Sequence, residues 1–360
     1  MPKVKKRKRE AGERKAVDGK IGVDHEGLDV DTSKPSAVFQ PTGGRSYTLS
    51  VALPGSIIAN AKSHEQKTYL AGQVARALAV FCVDEIIIFD DEDPEVQRRR
   101  PAIAEYDYTA FSHPDHFLAH VLSYLETPPH LRRTLFPMHP NLRTAGTLPS
   151  LDMPHHLRAN EWCEYRDGVA VGPSPGGNGT LVDVGLSEPR EILEAEIPRG
   201  TRVTIELEDP RSKVAAAVSP STPREVKGYY WGYAVRQCSS LSNVFTESPF
   251  DGGYNLSIGT SERGAPLSEV FTRPDLSDPE ALSFQHVLLV FGGVAGLEHA
   301  SKNDPELRNM GLTGQNVKEL FDCWVNVLPG QGSRTIRTEE AVWLGLMGLR
   351  GFIEKLRKNS

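Results

Sequence analysis

The segment Leu328-Pro-Gly-Gln-Gly-Ser-Arg-Thr-Ile-Arg-Thr-Glu-Glu-Ala341 constrains the fold of this chain more than any other. It follows an apolar run, 321–327, that reads as a buried strand, and precedes 342–349, which reads as a helix. Gly330 and Gly332 let the backbone turn tightly or come close to a ligand. Ser333 and Thr335 are good helix caps, and Glu339 and Glu340 suit a first helical turn. A glycine-rich loop between a strand end and a helix start is where open α/β sheets hold their ligands. An ordinary βα turn is the plain alternative; Gln331, Arg334 and Arg337 weigh against it. No Gly-Lys-Ser/Thr follows, so the segment is not a Walker phosphate loop.

Two other stretches share this grammar. His286-Val-Leu-Leu-Val-Phe291 is a short apolar run of the kind found in central parallel strands, and Gly292-Gly293 follows at once, with a helix expected over 294–300. Ile258-Gly-Thr-Ser-Glu-Arg-Gly264 reads as a loop after a strand over 254–258. Neither is the Gly-x-Gly-x-x-Gly fingerprint, which leaves a nicotinamide site as a weak alternative.

The front of the chain alternates strand and helix. Strands are expected over 47–53 and 85–89, a helix over 57–80, an exposed loop over 90–101, and an amphipathic helix over 114–125 with Phe117, Leu118, Val121, Leu122 and Leu125 on its apolar face. This is the pattern of a parallel sheet. Between 161 and 237 the helical period vanishes. Five short strand candidates (168–171, 179–183, 202–207, 214–218 and 230–235), separated by Gly, Pro and Asn, suggest a small barrel of OB type. From 239 the alternation returns, so the sequence supports a β insert within an α/β unit. Its 360 residues suffice for more than one folding unit.

Net charge is −6, so the body is not a nucleic-acid binder by bulk charge. The basic run Lys3, Lys5, Lys6, Arg7, Lys8 and Arg9 stands apart. It suggests a nuclear import signal or an RNA-contacting arm within a disordered tail, 1–44. No run is apolar enough to span a membrane, and there is no secretory signal. Cys82, Cys163, Cys238 and Cys323 are widely spaced, which argues against a zinc site and for reduced thiols; Cys82 and Cys323 are expected to pack in apolar runs. His113, His116 and His120 could share a helix face, but no acidic partner completes a metal pattern. His155 and His156 could meet RNA phosphate or simply pack. The run Tyr229-Tyr-Trp-Gly-Tyr233 could stack bases, or form a barrel strand with alternating buried aromatics.

These motifs, with Leu53-Pro-Gly-Ser-Ile-Ile58, Thr68-Tyr-Leu-Ala-Gly-Gln-Val-Ala-Arg76, Phe81-Cys-Val-Asp-Glu-Ile86 and Tyr230-Trp-Gly-Tyr-Ala-Val235, resemble the eukaryotic and archaeal branch of the SPOUT methyltransferases over roughly 47–349. The resemblance implies a trefoil-knotted α/β domain (45–160 and 236–360) split by an OB-like insert (161–235). It further implies S-adenosyl-L-methionine as cofactor, homodimers, and an RNA substrate, in particular a uridine of large-subunit ribosomal RNA methylated at ring N3. A nuclear and also cytoplasmic location follows from the tail. A protein of another class, a non-catalytic RNA-binding or spindle- or kinetochore-associated protein that keeps the fold, stays open.

In the resemblance, backbone groups near Gly292, Gly293, Val327, Leu328 and Gly330 would bond adenine and ribose, with Ile336 as an apolar wall. Thr260, Phe291, Asn326 and Gly332 complete the expected cofactor site, while Thr335 and Arg334 would lie near the methyl group or substrate. Methyl transfer needs alignment rather than a metal. A protonated ring nitrogen must lose its proton or have its charge stabilised. Arg263 is the first candidate for that role, or for the cofactor itself; Glu262 is a base candidate, Glu339 a lesser one, and Arg334 an alternative cation. Asn326 could equally hold a loop.

Overall fold

The computed structural model describes residues 41, 43–99, 109–270 and 284–358, with side chains to 354. The basic run at 3–9 and nearly all of the expected tail lie outside the described residues.

Six parallel strands form one sheet: β1 (Thr48–Pro54), β2 (Glu85–Phe89), β8 (Ala234–Cys238), β9 (Leu256–Pro266), β10 (His286–Val290) and β11 (Cys323–Asn326), in the order β11-β9-β10-β1-β2-β8. Side chains alternate across a strand, and here both faces are covered. Leu49, Val51, Leu53, Ile86, Ile88, Leu256, Ile258, Val287 and Leu289 share one core with α1 (His64–Val80), α3 (Pro114–Glu126) and the C-terminal helix α10 (Thr338–Lys358). Ala52, Ile87, Phe89, Leu288 and Val290 share the other with α6 (Leu241–Thr246), α8 (Gly296–Asn303) and α9 (Pro305–Asn309). This explains why the strands read as unbroken apolar runs.

Local chemistry moved several element ends. The first helix starts at His64, because Ser63 and Gln66 form a capping box; Gly55–Asn60 is a separate 3-10 turn. Residues 94–99 are a short helix, α2, inside the expected loop. Cys82 is exposed, in a left-handed turn at φ 55, rather than packed. Helix α2 is followed, after α3, by α4 (Pro129–Leu135).

The β insert is a closed five-stranded barrel of β3 (Tyr165–Pro173), β4 (Gly179–Asp183), β5 (Arg190–Leu193), β6 (Arg202–Glu206) and β7 (Val214–Val218), ordered β3-β4-β5-β7-β6. Val182, Val184, Ile192, Val203, Ile205, Leu207 and Ala215 fill it. The expected strand over 230–235 is not part of it. Residues 229–233 are irregular, following α5 (Thr222–Lys227), and the chain then enters β8 at the edge of the parallel sheet. The missing barrel strand is Arg190-Glu-Ile-Leu193, whose four residues are too few to show a period.

The aromatic run is spent on packing rather than on a stacking surface. Tyr230, Trp231 and Tyr233 are buried. Tyr230 Oη donates to Val83 O at 3.0 Å, Tyr233 Oη to Leu122 O at 3.1 Å, and Trp231 Nε1 to Asp167 Oδ1 at 3.0 Å. A buried ionic knot joins the barrel to α3: Arg202 donates to both oxygens of Glu126, at 2.6 and 3.0 Å, and to Asp167 Oδ2 at 2.5 Å. Burial alone would push the Glu126 carboxyl up, but Arg202 and His155 outweigh it and bring it down to about 2. His155 Nε2 and His156 Nε2 both face Glu126 O, at 3.0 and 2.6 Å, so these histidines pack. Burial, with His155 beside it, lowers His156 to about 3.

Candidate active site

A cavity of about 570 Å³ opens at the carboxyl ends of β9, β10 and β11. In the sheet order, β10 lies on one side of β9 and β11 on the other, so the connections leave in opposite directions there. Open parallel sheets bind ligands at such a switch point.

The first wall comes from β9. Gly259 pairs with Trp324 and Ala265 with Val325, so residues 260–264 leave the ladder against two consecutive residues of β11. The expected loop is thus a five-residue bulge within one strand. Gly264 sits where a Cβ would fall 2.2 Å from the Val325 backbone, which excludes any side chain. Side chains tie the bulge down. Thr260 Oγ1 donates to Val290 O at 3.1 Å, Ser261 Oγ to Glu298 Oε1 at 3.2 Å, and Asn326 Nδ2 to Glu262 O at 2.8 Å. Asn326 Oδ1 also accepts from Leu328 N at 2.9 Å, so the Asn326 amide holds two loops together.

The second wall, 291–295, leads into α8. Gly292 abuts Gly296 and Leu297, where a Cβ would lie 2.6 Å from backbone, and its carbonyl accepts from Thr338 Oγ1 at 3.1 Å. Gly293 faces Ser56, whose hydroxyl donates to Asp91 Oδ2 at 2.8 Å; burial raises the Asp91 carboxyl above its usual range. The third wall, 327–337, precedes α10. Arg337 N donates to Glu340 Oε2 at 3.0 Å, so the helix begins there rather than at a Ser333 or Thr335 cap.

Of the residues singled out in the sequence, Thr260, Glu262, Arg263, Phe291, Gly292, Gly293, Asn326, Val327, Leu328, Arg334, Thr335 and Ile336 line this cavity. Gly330 and Gly332 do not. A Cβ at either would meet nothing within 4 Å, and Gly330 has φ 72, so its absent side chain serves the turn rather than a ligand's approach. Glu339 is buried on α10, outside the lining. Asn60, Ser261 and Glu298 also line it and were missed. Glu298 lies within the helix expected over 294–300, but only the path of the bulge reveals its partner. The walls combine the half-buried side chains of Val327 and Ile336 with the 291–295 segment, in which the Phe291 ring itself is buried against Gly345 of α10. Arg263 and Arg334 stand exposed beside them, Arg263 with three quarters of its side chain in solvent. Such a site suits a mixed apolar and polar ligand beside an anionic one.

The histidines on α3 form a different cluster. His116, His120 and His139 surround Asn141, whose Nδ2 lies 3.4 Å from Nδ1 of both His116 and His120. Burial, with the neighbouring imidazoles, lowers His120 to about 4. Among the described residues no group of three or more His, Cys, Asp or Glu is arranged to hold a metal, and no helix is long and apolar enough to cross a membrane.

Comparison with known proteins agrees with this geometry. A family described as "Putative RNA methyltransferase" matches residues 48–349. A human protein named 28S rRNA (uridine-N(3))-methyltransferase is 45% identical over 316 residues, covering 85% of this chain and 79% of that protein. Its mouse counterpart of the same name is also 45% identical, covering 85% and 77%. A Drosophila melanogaster protein of that name is 42% identical, covering 86% of this chain and 62% of its own length. The match spans all three walls of the cavity and both flanking layers of the sheet, and the chain belongs to this RNA methyltransferase family.

Proposed function

We propose that the chain transfers a methyl group from S-adenosyl-L-methionine to N3 of a uridine in large-subunit ribosomal RNA. The observation that carries this is the meeting of three glycine-bearing strand ends at one cavity, in a chain whose relatives bear that activity in their names. The residues fit the cofactor. Val327 and Ile336, half-buried in the lining, would offer apolar faces for an adenine, and the loops after β10 and β11 would supply backbone groups for a ribose. The bound cofactor would supply an electrophilic methyl group. This chain's residues would align the base, exclude water, accept the N3 proton, with Glu262 as the candidate base, and stabilise the charge left on the uracil ring, with Arg263 as the candidate cation. The alternative of a non-catalytic RNA-binding or spindle-associated protein lacks comparable support.

The finer fold reading is a trefoil-knotted SPOUT domain over 45–160 and 236–360, with an OB-type barrel over 161–235. The barrel order β3-β4-β5-β7-β6, with β5 and β7 parallel, supports the second part. A homodimer is supported by Tyr69 and Val80 on α1 and Leu344 and Met347 on α10, all exposed on packed neighbouring helices; light scattering of Met347→Glu should show monomers. A nuclear location rests on the run at 3–9; replacing it with serines should move a fluorescent fusion to the cytoplasm, and a fusion that stays nuclear sinks the idea.

The deciding experiment is calorimetric titration with S-adenosyl-L-methionine, followed by incubation with a large-subunit rRNA fragment and mass spectrometry of its nucleosides. Saturable binding and 3-methyluridine are expected. No binding, or methylation of another base, overturns the proposal.

A further inference from the structure

The bulge at 260–264 carries both Arg263 and Glu262, yet it has no strand ladder of its own. Among the described residues, three side-chain ties hold its shape. Thr260 reaches β10 and Asn326 reaches across from β11, both within the sheet. The third tie, from Ser261 to Glu298, connects the bulge to α8 and so joins two walls of the cavity. Resting on the function proposed above, we infer that Glu298 is a positioning residue, which sets the bulge and thereby the place of Arg263.

Four features of the site support this. Glu298 Oε1 accepts from Ser261 Oγ at 3.2 Å, and Ser261 Oγ in turn accepts from Arg263 N at 3.2 Å, so one chain of bonds runs from the carboxylate to the Arg263 backbone. The Arg263 guanidinium also lies 3.9 Å from Glu298 Oε1. That ion pair is lopsided: the Glu298 side chain is 23% exposed and Arg263 75% exposed. An exposed pair at such a distance contributes little, so the hydroxyl bridge carries the effect and the cation stays free to turn toward substrate. Finally, the carboxylate lies close over Gly296, where a Cβ would fall 2.3 Å from Glu298 Oε2. The same oxygen that receives Ser261 faces Arg263, which argues for holding rather than for taking a substrate proton.

The test compares Glu298→Ala, Glu298→Gln, Ser261→Ala and the double Ser261→Ala/Glu298→Ala. Losing the bridge should slow single-turnover methylation about tenfold in each alanine variant, the size of one hydrogen bond's net worth. The double variant should be no slower than either single, because both remove the same bridge. Glu298→Gln keeps an acceptor for Ser261 and should stay within about threefold of the parent, with an unshifted pH profile. Cofactor affinity should fall by less than the rate does in all four, since Ser261 and Glu298 line the cavity but bond each other. Independently of activity, hydrogen exchange at the 261–264 amides should quicken in Glu298→Ala. If Glu298→Gln is as slow as the alanine variant, or the singles add in the double, or exchange is unchanged, the inference is overturned. A parent protein that does not methylate rRNA while Glu298→Ala still quickens exchange would instead remove the proposed function and leave the tie in place.

Discussion

Single residues at this site divide by what they touch. Arg263 keeps most of its side chain in solvent at the cavity wall, while its backbone is pinned through Ser261. A guanidinium stays charged at any working pH and donates in a planar fork, which suits a delocalised uracil anion. In the function proposed above the fork would be fixed only against bound substrate, and losing a donor of that role costs about 10²–10³ in turnover. Arg263→Ala should therefore lower single-turnover methylation by that factor and leave calorimetric cofactor affinity nearly intact. Arg263→Lys should recover only part, since a point charge cannot reproduce the fork. If the alanine variant loses cofactor binding instead, Arg263 belongs to the cofactor, and the reaction's charge falls to Arg334. The glycines teach the same lesson about what a sequence reveals. Gly292, Gly293, Gly330 and Gly332 look alike in the chain, but the first two are wedged against backbone or Ser56 and the last two face open space. Residue type announces a tight backbone; only the fold says which neighbour demands it.

Elements built on apolar runs were legible because burial on both faces leaves a strong pattern: β1, β2 and β10 fall within a residue or two of their expected ranges. The run at 230–235 misled because buried aromatics look alike in a barrel strand and in a packed loop. What distinguishes them is where the Tyr230, Trp231 and Tyr233 polar atoms bond, which is a long-range fact. The barrel's attachment was invisible for the same reason. Glu126 ends α3, and its partner Arg202 lies 76 residues further on. Both Glu126 and Asp167 are buried, so Arg202→Met would leave two carboxylates without their cation. Breaking such a buried pair costs about 3 kcal/mol. Urea unfolding of Arg202→Met should show that loss, with cofactor affinity kept because the clamp shares no residue with the cavity lining. Adding Glu126→Gln to it should recover part of the stability. A loss below about 1 kcal/mol would mean that solvent screens the clamp and that the barrel is held by packing alone.

At the scale of the molecule, the buried polar groups of α3 and its neighbours set how the fold answers to acid. His120 and His156 are held neutral by burial, with folded values of about 4 and about 3 against 6.5 for a free imidazole. A group with a depressed value contributes stability that is complete above its unfolded value and is lost as pH falls toward the folded one. For both histidines the loss begins near pH 6.5, because the unfolded chain binds protons that the folded chain refuses. Glu126, brought from 4.5 down to about 2, has the same sign and adds its loss below pH 4.5. The three effects therefore reinforce one another instead of cancelling. Each fully shifted group can steepen the decline by up to about 1.4 kcal/mol per pH unit. The urea midpoint should be flat from about pH 8 to 7, fall from pH 6.5, and fall faster below pH 4.5. His156→Gln keeps a donor for Glu126 O and does not titrate, so it should flatten the decline between pH 6.5 and 4 while lowering the plateau slightly. A midpoint that stays level from pH 6.5 to 5 in the parent protein would show that these imidazoles accept protons in the folded chain, and that the packing between α3 and the barrel is looser than their burial implies.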